Sequence, residues 1–115
     1  MSVVRHESKG ILSKAVEHNG TVYLAGITAD DPSKDAKGQT EQILATIDRL
    51  LAACGSDKSK VLTAEIWVSD IRHRDRMNEA WNAWTGGKDL PARACIEAKL
   101  ADPRLLVEIM VVAAK

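Results

Sequence analysis

Arg93, Cys95 and Glu108 are the residues near the end of the chain whose types could do chemistry. Glu108 is the only charged residue between Leu105 and Ala114. A guanidinium binds a carboxylate through two parallel hydrogen bonds. A carboxylate in apolar surroundings can carry a proton near neutral pH, because burial disfavours its charged form. These residue types therefore suit the binding of an α-keto or α-imino acid and a proton transfer on it.

Two alternating segments, about 93–100 and 105–113, are predicted to be strands joined by a turn around Asp102-Pro103. The first has an apolar face, made by Ala94, Ile96, Ala98 and Leu100, which alternates with Arg93, Cys95, Glu97 and Lys99. If the fully apolar faces of both strands meet the helices, Arg93, Cys95 and Glu108 share the opposite face. From periodicity alone, a buried or interface ion pair between Arg93 and Glu108 is the favoured interpretation. Cys95 suits core packing better than nucleophilic attack, since no histidine is obviously placed to activate it.

The final strand is apolar on both faces. Leu105, Val107, Ile109 and Val111 form one face, and Leu106, Glu108, Met110 and Val112 form the other. One face can cover helices. A second apolar face is rarely left in water, so the pattern predicts that another subunit covers it.

The preceding residues predict an α+β fold with a mixed sheet and two helices on one face. A short strand at 3–6, a hairpin turning at Asn19-Gly20, a loop over Asp30–Gly38 and a strand over Val61–Ser69 are expected. One helix buries Ile43, Ile47, Leu50, Leu51 and Cys54 and ends at Gly55. A second, capped by Asp70, buries Met77, Ala80, Trp81 and Trp84 and ends at Gly86-Gly87.

Length and composition exclude several classes of protein. The 115 residues, with 16 basic and 16 acidic side chains, predict a single domain over 1–115 with no electrostatic preference for nucleic acid or an anionic membrane. Charges interrupt every apolar segment, and the N-terminus lacks a signal peptide, so we expect a cytoplasmic protein. Cys54 and Cys95 are expected to be free thiols. Neither a metal-ligand spacing nor a cofactor motif occurs, and the histidines are scattered.

Five segments together resemble the RidA/YjgF family. Leu90-Pro91-Ala92-Arg93-Ala94-Cys95-Ile96-Glu97 resembles its "PARS-C-V-E" signature, and Leu106-Val107-Glu108-Ile109 resembles its "VEIEAIA" strand. Asn78 matches the "VNEVY" helix, Gln42 matches the "EQT-Q" region, and Val22-Tyr23-Leu24-Ala25-Gly26 matches "VYxSG". The similarity covers nearly the whole chain in the same order.

The resemblance implies a chorismate-mutase-like fold, a homotrimer with three clefts between subunits, and no cofactor. It implies hydrolysis of enamine/imine intermediates such as 2-aminoacrylate to a 2-keto acid and ammonia. Arg93 would then bind the substrate carboxylate, and Glu108 would position or activate water. Asn78 and the main-chain groups of Cys95 and Gly26 would line the pocket.

Two departures bear on the substrate. Leu12 stands where the family has a pocket tyrosine, and Met110 replaces the second glutamate of "VEIE". Two other functions therefore stay open for this chain. One is a non-catalytic trimer that binds a small carboxylate and regulates a partner, and the other is a related deaminase of a catabolic route.

Overall fold

The computed structural model describes residues 2–115 and shows a mixed sheet that carries two helices on one face. The strands are β1 (Val4–His6), β2 (Ala15–His18), β3 (Thr21–Leu24), β4 (Ile27–Thr28), β5 (Val61–Val68), β6 (Ala92–Glu97) and β7 (Val107–Ala114). The helices are α1 (Ala36–Ala53) and α2 (Arg74–Thr85). The strand order is β1-β2-β3-β7-β5-β6, with β4 also paired to β7. Among the strand pairs of residues 2–115, only β5–β6 is parallel. The α+β prediction is confirmed.

The hairpin of β2 and β3 turns at Asn19-Gly20, as predicted. Asn19 has φ 52° and Gly20 has φ 73°. Two successive positive φ values are the requirement of a type I′ turn, whose twist matches that of the flanking strands. The turn fixes the register of β3, which in turn pairs with β7 and leads into Gly26.

Helix α1 begins earlier than the sequence predicted. Asp35 is its N-cap and accepts a hydrogen bond from the Gly38 N–H at 2.8 Å, so the predicted loop Asp30–Gly38 ends inside the first helical turn. A capping carboxylate accepts a hydrogen bond from an N–H that has no partner within the helix, and this stabilises the first turn. The helix therefore begins within the stretch whose composition, with glycine and lysine, predicted a loop. The predicted buried face is confirmed. Gly55, at φ 76°, follows the last turn as expected.

Helix α2 does not begin at Asp70. That side chain instead accepts from the Arg72 N–H and caps a 3-10 turn over Ile71–His73, and α2 starts at Arg74. Gly86 ends the helix in the left-handed conformation. The predicted apolar stripe is confirmed, with three residues buried and Trp84 partly so.

Strand β7 is central to the sheet and has two unlike faces. Val107, Ile109, Val111 and Ala113 are buried under the helices. Their neighbours on the other side are half-buried, and we call that side of the sheet the open face. The alternation predicted for β7 is therefore confirmed.

The face predicted for the other late strand is wrong. In the register of β5 and β6, Arg93 lies beside Ala64 and Cys95 beside Ile66, and both β5 residues are buried on the helix-bearing face. Ile96 instead lies on the open face and is 53% exposed. The strand is at the edge of the sheet and stops at Glu97, so Ala98 and Leu100 never extend its apolar row. It is also separated from β7 by β5.

Within residues 2–115, no helix combines the length and the hydropathy needed to cross a membrane.

Candidate active site in two half-sites

The first half-site is built around Arg93, on the helix-bearing side of edge strand β6. Its Nη1 donates to Asn78 Oδ1 at 2.7 Å. Its guanidinium carbon lies 5.3 Å from the centre of the Trp81 ring. Asn78 and Trp81 are three residues apart on α2 and therefore share one face of that helix. This support orients the exposed guanidinium and leaves other N–H groups free to bind a carboxylate.

Cys95 lies two residues after Arg93 on the same face of β6. Its side chain is half-buried and packs against the core. Burial raises the pKa of this thiol, against the opposing effects of Arg93 and Arg74. A raised pKa keeps the thiol protonated, which suits packing and not nucleophilic attack.

The second half-site is built around Glu108, on the open face. Glu108 lies between Thr28 of β4 and Trp67 of β5 in the sheet register. Within residues 2–115 its carboxylate makes no hydrogen bond or ion pair with another side chain. A half-buried carboxylate without a protein partner is available to a water molecule or a substrate.

Gly26 borders the same carboxylate. A Cβ built on Gly26 would overlap Glu108 Oε2 and lie 3.1 Å from Glu108 Cδ. Only glycine lets the backbone approach the carboxylate this closely. Gly26 and Glu108 are therefore neighbours, a proximity consistent with the shared pocket that the family resemblance implies.

The two half-sites lie on opposite faces of the sheet. Arg93, Cys95 and Asn78 are on the helix-bearing side, whereas Glu108 and Gly26 belong to the open face. The prediction that Arg93, Cys95 and Glu108 share a face is therefore wrong within one chain. The same separation rules out an intrachain ion pair between Arg93 and Glu108. The sequence shows only that apolar and polar residues alternate along β6. This alternation does not identify which face of an edge strand meets the core.

Trp81 has a role that the sequence analysis missed. It was expected to be a core residue, and it is only 4% exposed. Its ring nevertheless supports Arg93, because one side packs into the core and the other faces the edge strand. Its spacing of three residues from Asn78 was the available signal, since both side chains had to lie on one helix face.

The open face beside Glu108 carries several large apolar side chains. Its side chains include Tyr23, Trp67, Ile96, Met110 and Val112, none of which is fully buried. Glu65 lies on the same face beside Met110, and the exposed apolar side chains around it mark a candidate interaction surface.

Known proteins match this chain over nearly its whole length. The sequence profile of the family described as Endoribonuclease L-PSP matches residues 4–115. A RutC family protein of Haemophilus ducreyi is 39% identical over 112 residues, which are 97% of this chain and 96% of that protein. RutC family protein YoaB of Escherichia coli is 39% identical over 114 residues and 99% of both chains.

A solved structure agrees with these sequence matches. A member of the YjgF protein family from Neisseria meningitidis is 42% identical and superposes with a TM-score of 0.96 over 100% of this chain and 96% of that one. The match over the full fold and the matches over the full sequence lead to the same conclusion: the chain belongs to the RidA/YjgF family, which includes the RutC proteins.

Proposed function

We propose that this protein hydrolyses reactive 2-imino acids, of the 2-aminoacrylate type, to 2-keto acids and ammonia. The observation that carries the proposal is the pair of half-sites. One presents an oriented guanidinium. The other presents a carboxylate beside Gly26 that has no side-chain partner among residues 2–115. A carboxylate-binding group and a proton carrier are the two functions that this hydrolysis needs.

The half-sites meet only if separate copies of the chain pack together. Arg93 is exposed at the edge of the sheet, whereas Glu108 lies on the open face. An edge residue of one copy can reach the open face of another, and the apolar side chains around Glu108 supply the surface to be buried. The proposed assembly is a homotrimer with three such clefts, as the family resemblance implies.

In the proposed cleft, Arg93 binds the substrate carboxylate through its free N–H groups and so fixes the imine carbon near Glu108. Glu108 accepts a proton from water as the water oxygen attacks that carbon. The proton passes to the imine nitrogen and gives a carbinolamine. Glu108 then transfers the proton of the new hydroxyl group to the amine nitrogen, the carbon–nitrogen bond breaks, and ammonia departs as the carbonyl of the 2-keto acid forms. Fixed geometry and one general base together suit a reaction of this modest difficulty, with a proton-transfer contribution of about 10²–10⁴-fold.

The name of the family model raises RNA cleavage as a second activity to test. The balance of 16 basic and 16 acidic side chains gives no overall attraction to a polyanion. A small anionic substrate bound by one arginine fits this charge balance better. Two free thiols also suit the reducing cytoplasm that we expect for the protein.

Subunit complementation tests the shared cleft directly. We expect Arg93→Ala and Glu108→Gln each to lower ammonia release from 2-aminoacrylate, generated in situ, by about 10² or more. The two variants are then unfolded together and refolded as a mixture. Random assortment of subunits rebuilds the wild-type pair in about a quarter of the clefts, so about that share of activity should return.

Each variant refolded alone is the control for this experiment. No recovery in a mixture that is shown to exchange subunits would refute a cleft shared between copies. Full activity of Glu108→Gln would remove Glu108 from the mechanism. Calorimetry with pyruvate distinguishes an enzyme from the non-catalytic regulatory protein. Carboxylate binding without ammonia release would favour the regulatory protein. RNA cleavage by the wild type, lost in Glu108→Gln, would refute the imine specificity.

A further inference from the structure

A second group of reactive side chains lies far from both half-sites, at the other edge of the sheet. His6 ends edge strand β1, Glu17 belongs to β2, and Cys54 follows the last turn of α1. In the strand register His6 lies beside Ala15 and Glu17 beside Val22. Both partners are fully buried under the helices, so His6 and Glu17 point toward the end of α1.

The three side chains converge on one point. One potential ligand atom from each lies within 4.8 Å of the others. His6 Nε2 and Glu17 Oε2 are 2.5 Å apart. In residues 2–115 this is the one place where three His, Cys, Asp or Glu side chains approach so closely.

We infer that His6, Glu17 and Cys54 form a binding site for a divalent transition metal, with Zn²⁺ as the preferred ion. Imidazole nitrogen, carboxylate oxygen and thiolate sulfur are all zinc ligands. Bonds of about 2.0–2.3 Å in a tetrahedron place ligand atoms roughly 3.5 Å apart, a spacing that small side-chain adjustments would reach here. Three protein ligands leave the fourth position to water. The inference does not depend on the proposed deaminase activity.

The charges of the site balance when the metal binds. Cys54 is buried, and its thiol must lose a proton before the sulfur can bind a metal as a thiolate. Zn²⁺ binding forms the zinc–sulfur bond and releases the thiol proton to solvent. One thiolate and one carboxylate then neutralise the two positive charges of the ion.

Lys115 is the group that competes with the metal. Its ammonium lies 2.7 Å from Glu17 Oε1, and its side chain is 50% exposed. It is therefore free to turn outward into solvent when a cation takes its place. The side chain of Glu17 is only 12% exposed, so it would otherwise need another positive partner.

Cobalt substitution provides a specific test, because Co²⁺ in a tetrahedral site with sulfur gives a sulfur-to-metal charge-transfer band. We expect the wild-type protein to bind one Co²⁺ per chain with this band, and Zn²⁺ to displace it. Cys54→Ser should abolish the band. Cys95→Ser is the matched control, since it removes the other cysteine of the chain and should leave the band unchanged.

Calorimetry with Zn²⁺ measures the contribution of the two other ligands, His6 and Glu17. Circular dichroism checks that each variant is folded. His6→Gln and Glu17→Gln should weaken Zn²⁺ binding at least about tenfold. His18→Gln, one residue from Glu17, and the distant His73→Gln should not change it. Lys115→Gln should strengthen binding because it removes the competing cation. Absence of Zn²⁺ binding by the folded wild type, or unchanged binding by folded His6→Gln, would overturn the inference.

Discussion

At the scale of single residues, the position of Arg93 depends on two neighbours in α2. Asn78 accepts one of its hydrogen bonds, and the Trp81 ring lies beneath its guanidinium. Both contacts use the planar shape of the guanidinium as well as its charge. A lysine would supply the charge alone.

We therefore expect Arg93→Lys to bind pyruvate or 2-ketobutyrate at least about tenfold more weakly than the wild type, because it loses the paired hydrogen bonds. Titration calorimetry on the folded variant measures this. Arg76→Lys, on α2 and paired with Asp35 and Glu79, is the control and should bind normally. Equal affinity of Arg93→Lys and wild type would contradict the assignment of Arg93.

Gly26 supports the other half-site by having no side chain. In Gly26→Ala the new Cβ would overlap the Glu108 carboxylate and force it to move. We expect ammonia release to fall by about 10², the cost of a displacement near 1 Å in a reacting group. The thermal midpoint should change little.

Gly87→Ala is the matched control for that substitution. Gly87 has φ 74°, and a Cβ added there would meet open space, so the variant strains the backbone away from both half-sites. It should lose some stability and keep its activity. Full activity in Gly26→Ala would show that the carboxylate position is not critical.

At the scale of elements, Gln39 joins α1 to the loop that leads into β7. This residue of α1 is fully buried. Its side-chain amide donates to the carbonyls of Pro32, Lys34 and Arg104, and its oxygen accepts from the Leu106 N–H at 2.8 Å. The position of β7, and with it that of Glu108, is thus linked to the first turns of α1.

Replacement of Gln39 by leucine should lower the free energy of unfolding by about 1–3 kcal/mol for each buried backbone group that loses its partner. Urea denaturation monitored by circular dichroism measures the change. Glu41→Ala, an exposed substitution on the same helix, should lie within about 0.5 kcal/mol of the wild type. A similarly small effect of Gln39→Leu would contradict the structural role of this amide.

The cap of α1 makes a pH-dependent contribution. The Gly38 N–H, and then Arg76, hold the pKa of Asp35 below its ordinary value. A lowered pKa in the folded state means that the stabilisation is fully present above the unfolded pKa of about 3.9 and is lost as the pH falls through the folded value.

Asp35→Asn isolates the charge, since asparagine caps a helix about as well as aspartate. We expect its thermal midpoint to be lower than that of the wild type at neutral pH, and the difference to disappear in acid. Asp75→Asn, whose side chain is 92% exposed, is the control. A difference that stays constant from neutral pH to acid would refute a role for the Asp35 charge.

At the scale of the whole molecule, the open face leaves large apolar side chains such as Tyr23 and Ile96 exposed to solvent in the single chain. We expect light scattering to give a mass three times that of the 12.5 kDa chain. Ile96→Asp places a charge in this face and should yield folded monomers without deaminase activity, because both the buried surface and the shared clefts are lost.

Ile11→Asp is the control for this prediction. Ile11 is 98% exposed but lies in the loop between β1 and β2. This variant should remain trimeric and active. A monomeric wild type, or an active Ile96→Asp monomer, would contradict the proposed assembly and its intersubunit clefts.

The sequence by itself determined the kinds of elements and their order. The three- and four-residue spacing of Ile43, Ile47 and Leu50 identifies the buried face of α1, because side chains at these intervals align on a helix. Asn19-Gly20 determines the hairpin through its backbone preference. The double apolar pattern of β7 also follows from the sequence alone. These are local properties, which neighbours along the chain decide.

The tertiary structure alone decided which of the candidate residues share a surface. The alternation around Arg93 is the same whichever side of β6 meets the core. Only the pairing of Arg93 with Ala64 of β5 shows that Arg93 and Glu108 lie on opposite faces of the sheet. The convergence of His6 and Cys54 is equally invisible in their spacing of 48 positions. It arises because the end of α1 packs over the edge strands. Alternation repeats every two residues and is symmetric between faces, whereas strand pairing and helix packing break that symmetry.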